Sequence, residues 1–122
     1  MPKIALTVDD SKTIREMVSF TLKNAGYQIL EAEDGVKAVD IIKANNVDVV
    51  ITDLNMPNMN GIDLIKAIRA NPKYSAVPIL MLTTEGDANK KVEGKNAGAT
   101  GWIVKPFQPE KLVEVIKRVC PV

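Results

Sequence analysis

The stretch VDVVITDLNMPNMNG, Val47 to Gly61, decides how the rest of the chain reads. Val49, Val50 and Ile51 form a continuous β-branched run, as suits a strand covered on both faces. The run passes through Thr52 and stops on a carboxylate, Asp53, after which Asn, Met, Pro and Gly residues read as loop. A strand covered on both faces belongs inside a parallel sheet. A charge at its carboxyl end lies where open parallel sheets bind ligands.

Outward from that strand, β-rich runs alternate with helical periodicity. Strands are expected at KIALTV (Lys3–Val8), YQILEA (Tyr27–Ala32), DVVITD (Asp48–Asp53), VPILMLTT (Val77–Thr84) and GWIVKP (Gly101–Pro106). In the intervening segments Ile14, Met17, Val18 and Leu22 share one helical face; so do Val36, Val39 and Ile42, and again Leu64, Ile65 and Ile68. Gly26, Asn45-Asn46 and Pro72 supply stops, and Pro109 opens the last helix. The segment from Asp87 to Gly98 is the weakest helix. Gly86 precedes it, Gly94 interrupts it, and Asn89 and Asn96 are poor helix formers. Five βα units without linker, repeat or low-complexity segment read as one α/β domain, residues 1–122, built on a doubly wound five-stranded parallel sheet with five helices. The closing helix runs almost to the C-terminus, so the chain reads as complete.

Composition narrows the function classes. The chain has 122 residues, enough for one core, with 46% hydrophobic and 25% charged residues. A net charge of +1 gives no general drive toward nucleic acid or an acidic membrane. The single cysteine, Cys120, rules out an internal disulfide. The absence of histidine rules out a Ser-His-Asp triad, a Cys-His pair and any histidine-ligated metal. The N-terminus lacks a signal peptide and no segment is long enough to span a bilayer, so the expected address is the cytoplasm.

The strand ends carry the chemistry. The first ends Val8-Asp9-Asp10, the third Thr52-Asp53, the fourth Leu82-Thr83-Thr84 and the fifth Val104-Lys105-Pro106. Each residue alone has a plainer reading. Asp10 or Ser11 caps the first helix, Asp53 is a loop carboxylate, Thr83 fills a strand, and Lys105 is a solvated edge charge. The combination is what matters. Three carboxylates about 5 Å apart repel by roughly 3 kcal/mol per pair at an effective dielectric near 20, and one lysine does not cancel that. Oxygen donors without His or Cys favour a hard cation, and so few carboxylates suit Mg²⁺ better than a calcium cage. Asp10, Asp53 and the backbone carbonyl of Asn55 are the expected ligands, with Asp9 acting through water. A carboxylate beside Mg²⁺ at a strand tip is placed to attack phosphorus and form an acyl phosphate, with Thr83 and Lys105 addressing the transferring oxygens. No GxxxxGK[ST] or GxGxxG motif is present, so the phosphoryl donor need not be a nucleotide bound to this chain.

VDD after the first strand, DLNMPNMNG around Asp53, TT after the fourth strand and KPF after the fifth together resemble the receiver domain of two-component response regulators. The match spans essentially the whole chain, and TTEG and AGATGW resemble single-domain, CheY-like chemotaxis regulators. The resemblance implies the strand order 2-1-3-4-5, Asp53 as phosphoacceptor, and Asp9 and Asp10 as the acidic pair for Mg²⁺ with the Asn55 carbonyl. It also implies Thr83 as switch hydroxyl, Lys105 as the phosphoryl-pairing lysine and a cis Lys105-Pro106 bond. Trp102 stands where the family often has Tyr or Phe as a switch ring, and the bulkier indole restricts an inward swing.

The implied partners are a CheA-like histidine kinase, an output protein such as a flagellar motor switch component, and a phosphatase. Lys90, Lys91, Lys95 and Trp102 form the expected partner surface on a monomer. The chain is then no enzyme beyond its own phosphotransfer and dephosphorylation. Rival readings are a phosphorelay intermediate or phosphate sink, an aspartate-nucleophile phosphohydrolase, and a structural module that is never phosphorylated. The phosphohydrolase lacks an evident acid/base and substrate cap, and the intact Asp/Thr/Lys set argues against the structural module.

Overall fold

A computed structural model describes residues 2–56, 58–84 and 88–121. Strands and helices alternate: β1 (Ile4–Val8), α1 (Lys12–Asn24), β2 (Gln28–Ala32), α2 (Gly35–Ala44), β3 (Val49–Asp53), α3 (Gly61–Ala70), β4 (Ile79–Thr84), α4 (Ala88–Ala97), β5 (Gly101–Lys105) and α5 (Pro109–Val119). A short 3₁₀ turn, Pro72–Tyr74, follows α3. The five strands form one parallel sheet in the order β2-β1-β3-β4-β5, the expected fold class and strand order. Asp87 and Gly86, part of the sequence reading of the fourth helix and its approach, lie outside the described residues, as does Glu85 of the TTEG motif and Pro57 of the loop after Asp53. Among the described residues no helix is long and apolar enough to cross a membrane.

The alternation of side chains along each strand feeds two cores. Leu6, Val8, Val50, Ile79 and Met81 face one layer with Ile42, Leu64, Ile65 and Ile68. Ala5, Val49, Ile51, Leu80, Leu82 and Ile103 face the other with Val18, Leu22, Leu112 and Ile116. Central strands β1, β3 and β4 are therefore buried along most of their length, whereas edge strand β2 is only partly buried. Side-chain caps fix the starts of α1, α2 and α3. Ser11, not Asp10, caps α1 by accepting from the Ile14 amide; Asp34 accepts from Lys37 and Asn60 from Asp63. Gly26, with φ 102°, takes the left-handed turn that ends α1.

Three sequence expectations change. Met17 and Val36 share a helical stripe with core residues but stand 40% and 46% exposed. They lie at the edges of stripes whose centres are Val18 and Leu22 in α1, and Ala38 and Ile42 in α2. Gly94 does not interrupt α4. It is the buried residue of that helix, and a Cβ there would lie 2.0 Å from the Met81 sulfur, so glycine lets α4 lie directly on β4.

Candidate functional site

The parallel order brings the ends of β1, β3, β4 and β5 to one edge of the sheet. Asp9, Asp10 and Asp53 each offer a carboxylate oxygen within 4.8 Å of the others. Lys105 stands between two of them, its Nζ 3.4 Å from Asp9 Oδ2 and 3.2 Å from Asp53 Oδ1. Thr83 extends the same edge from β4, since Asp53 is in register with Leu82 and Thr83 with Val104. Its hydroxyl is buried and, among the described residues, has no hydrogen-bond partner. Such a group costs free energy until something binds it. The Lys105-Pro106 bond is cis, as the resemblance implies.

Local structure holds these groups. Asp9 is almost wholly buried, and its Oδ1 accepts from the Ser11 amide at 2.9 Å. Burial is the main reason its carboxyl titrates above the ordinary value of 3.8, and the neighbouring Asp53 charge adds to the rise. The Ser11 amide and Lys105 oppose it. Asp53 Oδ1 accepts from the Leu54 amide at 2.9 Å. Three carboxylates against one ammonium leave two negative charges uncompensated in the cluster. Oxygen-only donors, closely spaced and net negative, fit a hard divalent cation. Asn55 lies exposed in the loop just past Asp53, and Asp10 is exposed at the mouth of the cluster.

Trp102 is 44% exposed on β5, in register with Met81, and Lys91 of α4 places its Nζ 5.6 Å from the indole centroid. Lys90 pairs with Glu93 at 3.8 Å, and Lys95 is exposed in the last turn of α4. Of the expected partner surface, Lys91 and Trp102 are in contact across α4 and β5. Trp102 and Lys105 share strand β5.

Sequence reasoning missed the supports. A Cβ on Gly61 would lie 2.3 Å from the Asp53 carbonyl oxygen, so only glycine lets α3 start against the acceptor strand. Asp34 accepts from Asn58 Nδ2 at 3.0 Å, tying the β2–α2 turn to the loop after Asp53, where Asn58 has φ 68°. The Lys37 amide, followed by the Asn58 bond, holds the Asp34 carboxyl below its ordinary value. Arg15 donates to the Asp9 carbonyl. The helical pattern around Gly61 and Arg15 conceals such contacts, because they join residues distant in sequence or act through backbone.

Comparison with known proteins agrees with the geometry. The family model of the response regulator receiver domain matches residues 5–117. The chain belongs to that family, and it is a phosphorylation-switched signalling domain. Among individual proteins, it is 46% identical to the chemotaxis protein CheY1 of Helicobacter pylori over 116 residues, 93% of this chain and 94% of that one. It is 47% identical to a CheY homologue of Campylobacter jejuni, covering 93% of this chain and 89% of the relative. The solved structure of the chemotaxis response regulator CheY4 of Vibrio cholerae superposes with a TM-score of 0.93 at 50% identity, over 98% of this chain and 99% of that one.

Proposed function

We propose that this chain is a cytoplasmic chemotaxis regulator that takes a phosphoryl group onto Asp53 from a histidine kinase and changes partner binding in response. The observation that carries the reading is the Asp9–Asp10–Asp53 cluster, with Lys105 bridging Asp9 and Asp53. The chemotaxis setting rests on the likeness to chemotaxis proteins along most of the chain.

Asp10, Asp53 and the Asn55 carbonyl would hold Mg²⁺, with Asp9 acting through water. Bound there, the cation supplies positive charge for the oxygens of the transferring phosphoryl group. An Asp53 carboxylate oxygen attacks phosphorus, and the bond from phosphorus to the kinase imidazole nitrogen breaks. The electron pair returns to the imidazole, and an acyl phosphate remains on Asp53. Lys105 already pairs with Asp53 and shifts onto a phosphoryl oxygen as charge moves outward. The Thr83 hydroxyl, buried without a partner among the described residues, donates to another. Drawing Thr83 and Lys105 inward pulls on β4 and β5 and so repacks Trp102 and α4.

The output surface formed by Lys90, Lys91, Lys95 and Trp102 suits an acidic segment with an apolar anchor, such as one on a flagellar motor switch component. A phosphatase would reset the switch. The chain turns over no external substrate. The test is transfer from an autophosphorylated chemotaxis kinase. Label should pass from the kinase to the native chain and not to Asp53→Asn, and the labelled chain should gain affinity for a motor switch component. Transfer without any gain in binding would favour the phosphate-sink reading.

A further inference from the structure

We infer that Arg15 is a positioning residue for the metal site, acting on Asp10 through the peptide that joins it to Asp9; the inference rests on the Mg²⁺ reading above. Arg15 Nη1 donates to the Asp9 carbonyl oxygen at 2.7 Å, while its Nε lies 3.4 Å from Glu31 Oε1 on β2. The guanidinium is thus held from both sides, with its side chain only 16% exposed.

The Asp9 carbonyl and the Asp10 amide belong to one planar peptide. Fixing the carbonyl fixes that plane and, with it, the direction in which Asp10 leaves the backbone. Asp9 has other anchors, because its carboxylate accepts from the Ser11 amide and pairs with Lys105. Among the described residues the Asp10 carboxylate has no hydrogen bond or ion pair. Asp10 is also the exposed member of the cluster. Its position depends on its backbone: the Asp9 carboxylate holds the peptide after it through the Ser11 amide, and Arg15 holds the peptide before it. Arginine suits the task better than lysine, because a planar fork can address a carbonyl and a carboxylate at once.

The sign of the effect separates positioning from simple electrostatics. Arg15 is a cation hydrogen-bonded to the peptide that joins Asp9 to Asp10. By charge alone, removing it would tighten binding of a divalent cation. If it holds Asp10 in place, removing it loosens binding. The test compares the native chain with Arg15→Met, which keeps length and helix propensity but loses charge and donors. Mg²⁺ affinity is measured by calorimetry, and the order parameter of the Asp10 amide is measured by NMR in metal-free protein. Arg15→Met should raise the Mg²⁺ Kd about tenfold, as loss of a group that orients a ligand does, and lower the Asp10 order parameter. A Kd at or below the native value overturns the inference, and so does a raised Kd with an unchanged Asp10 order parameter. If circular dichroism shows that Arg15→Met does not fold, Arg15→Lys is read instead. It keeps the charge but not the fork, so its Kd should rise by a smaller factor, and a native Kd overturns the inference. A native chain that binds no Mg²⁺ refutes the reading of the site itself, and the role of Arg15 falls with it. A native chain that binds while Arg15→Met binds as tightly refutes Arg15 alone.

Discussion

Replacing Asp10 by asparagine should make the metal-free protein more stable, and Mg²⁺ should reverse the order. Asp10 has a carboxylate oxygen within 4.8 Å of one on each of Asp9 and Asp53. At that separation two unit charges repel by about 0.9 kcal/mol in bulk water and about 3.5 kcal/mol at an effective dielectric of 20. Asp10 is exposed, so the lower figure governs, and two pairs give about 2 kcal/mol. Against this, Asp10 directly precedes the Ser11 cap of α1, where a negative charge gains about 0.3–1 kcal/mol from the helix dipole. The net gain on substitution is about 1 kcal/mol, or roughly 3–5 °C in Tm for a domain of this size. Thermal melts followed by circular dichroism, in chelator at low salt, measure it. With Mg²⁺ at a hundred times its Kd the native chain should gain about 2.7 kcal/mol, and Asp10→Asn much less, so the two curves should cross. The reasoning is refuted if Asp10→Asn melts at or below the native chain in chelator, or if both gain equally from Mg²⁺.

Thr83→Val should remove a buried hydroxyl that has no partner among the described residues, raising stability by about 1 kcal/mol in urea titration while abolishing the response to a phosphoryl mimic. A loss of stability would mean that the hydroxyl is satisfied in solution. Trp102, the one tryptophan and 44% exposed, should become less accessible to acrylamide when beryllofluoride and Mg²⁺ bind, and should not change in Asp53→Ala. Equal quenching with the mimic demonstrably bound would remove it from the switch. Gly61→Ala should cost about 1–3 kcal/mol by pressing a Cβ onto the Asp53 carbonyl, and should slow phosphorylation; native kinetics would show that α3 can shift freely.

How far the sequence could be read follows from where each kind of information lies. Central strands show themselves as apolar runs because both their faces are covered, and β3 ends at Asp53 as VVITD suggests. Asp9, Asp10, Asp53, Thr83 and Lys105 are legible because a parallel sheet brings strand ends together, whatever the intervening helices do. The strand order came from the likeness to a family, since alternation alone leaves several orders open. Met17 and Val36 misled because a three- or four-residue spacing marks a face and not its width. Gly94 misled for a different reason. Intrinsic propensity counts it as a break, whereas in the fold it packs against the Met81 side chain, which leaves no room for a Cβ. The hydroxyl anchors of Tyr27 on the Cys120 carbonyl and Tyr74 on that of Ile42 were invisible, because each joins residues far apart in the chain.

Whether Asp53 carries the phosphoryl group is decided by mass spectrometry after incubation with acetyl phosphate and Mg²⁺. The native chain should carry one acid-stable, base-labile phosphoryl group, mapped to Asp53, dependent on Mg²⁺ and absent from Asp53→Asn. Equal labelling of Asp53→Asn at its other carboxylates, or undiminished labelling in chelator, would contradict this.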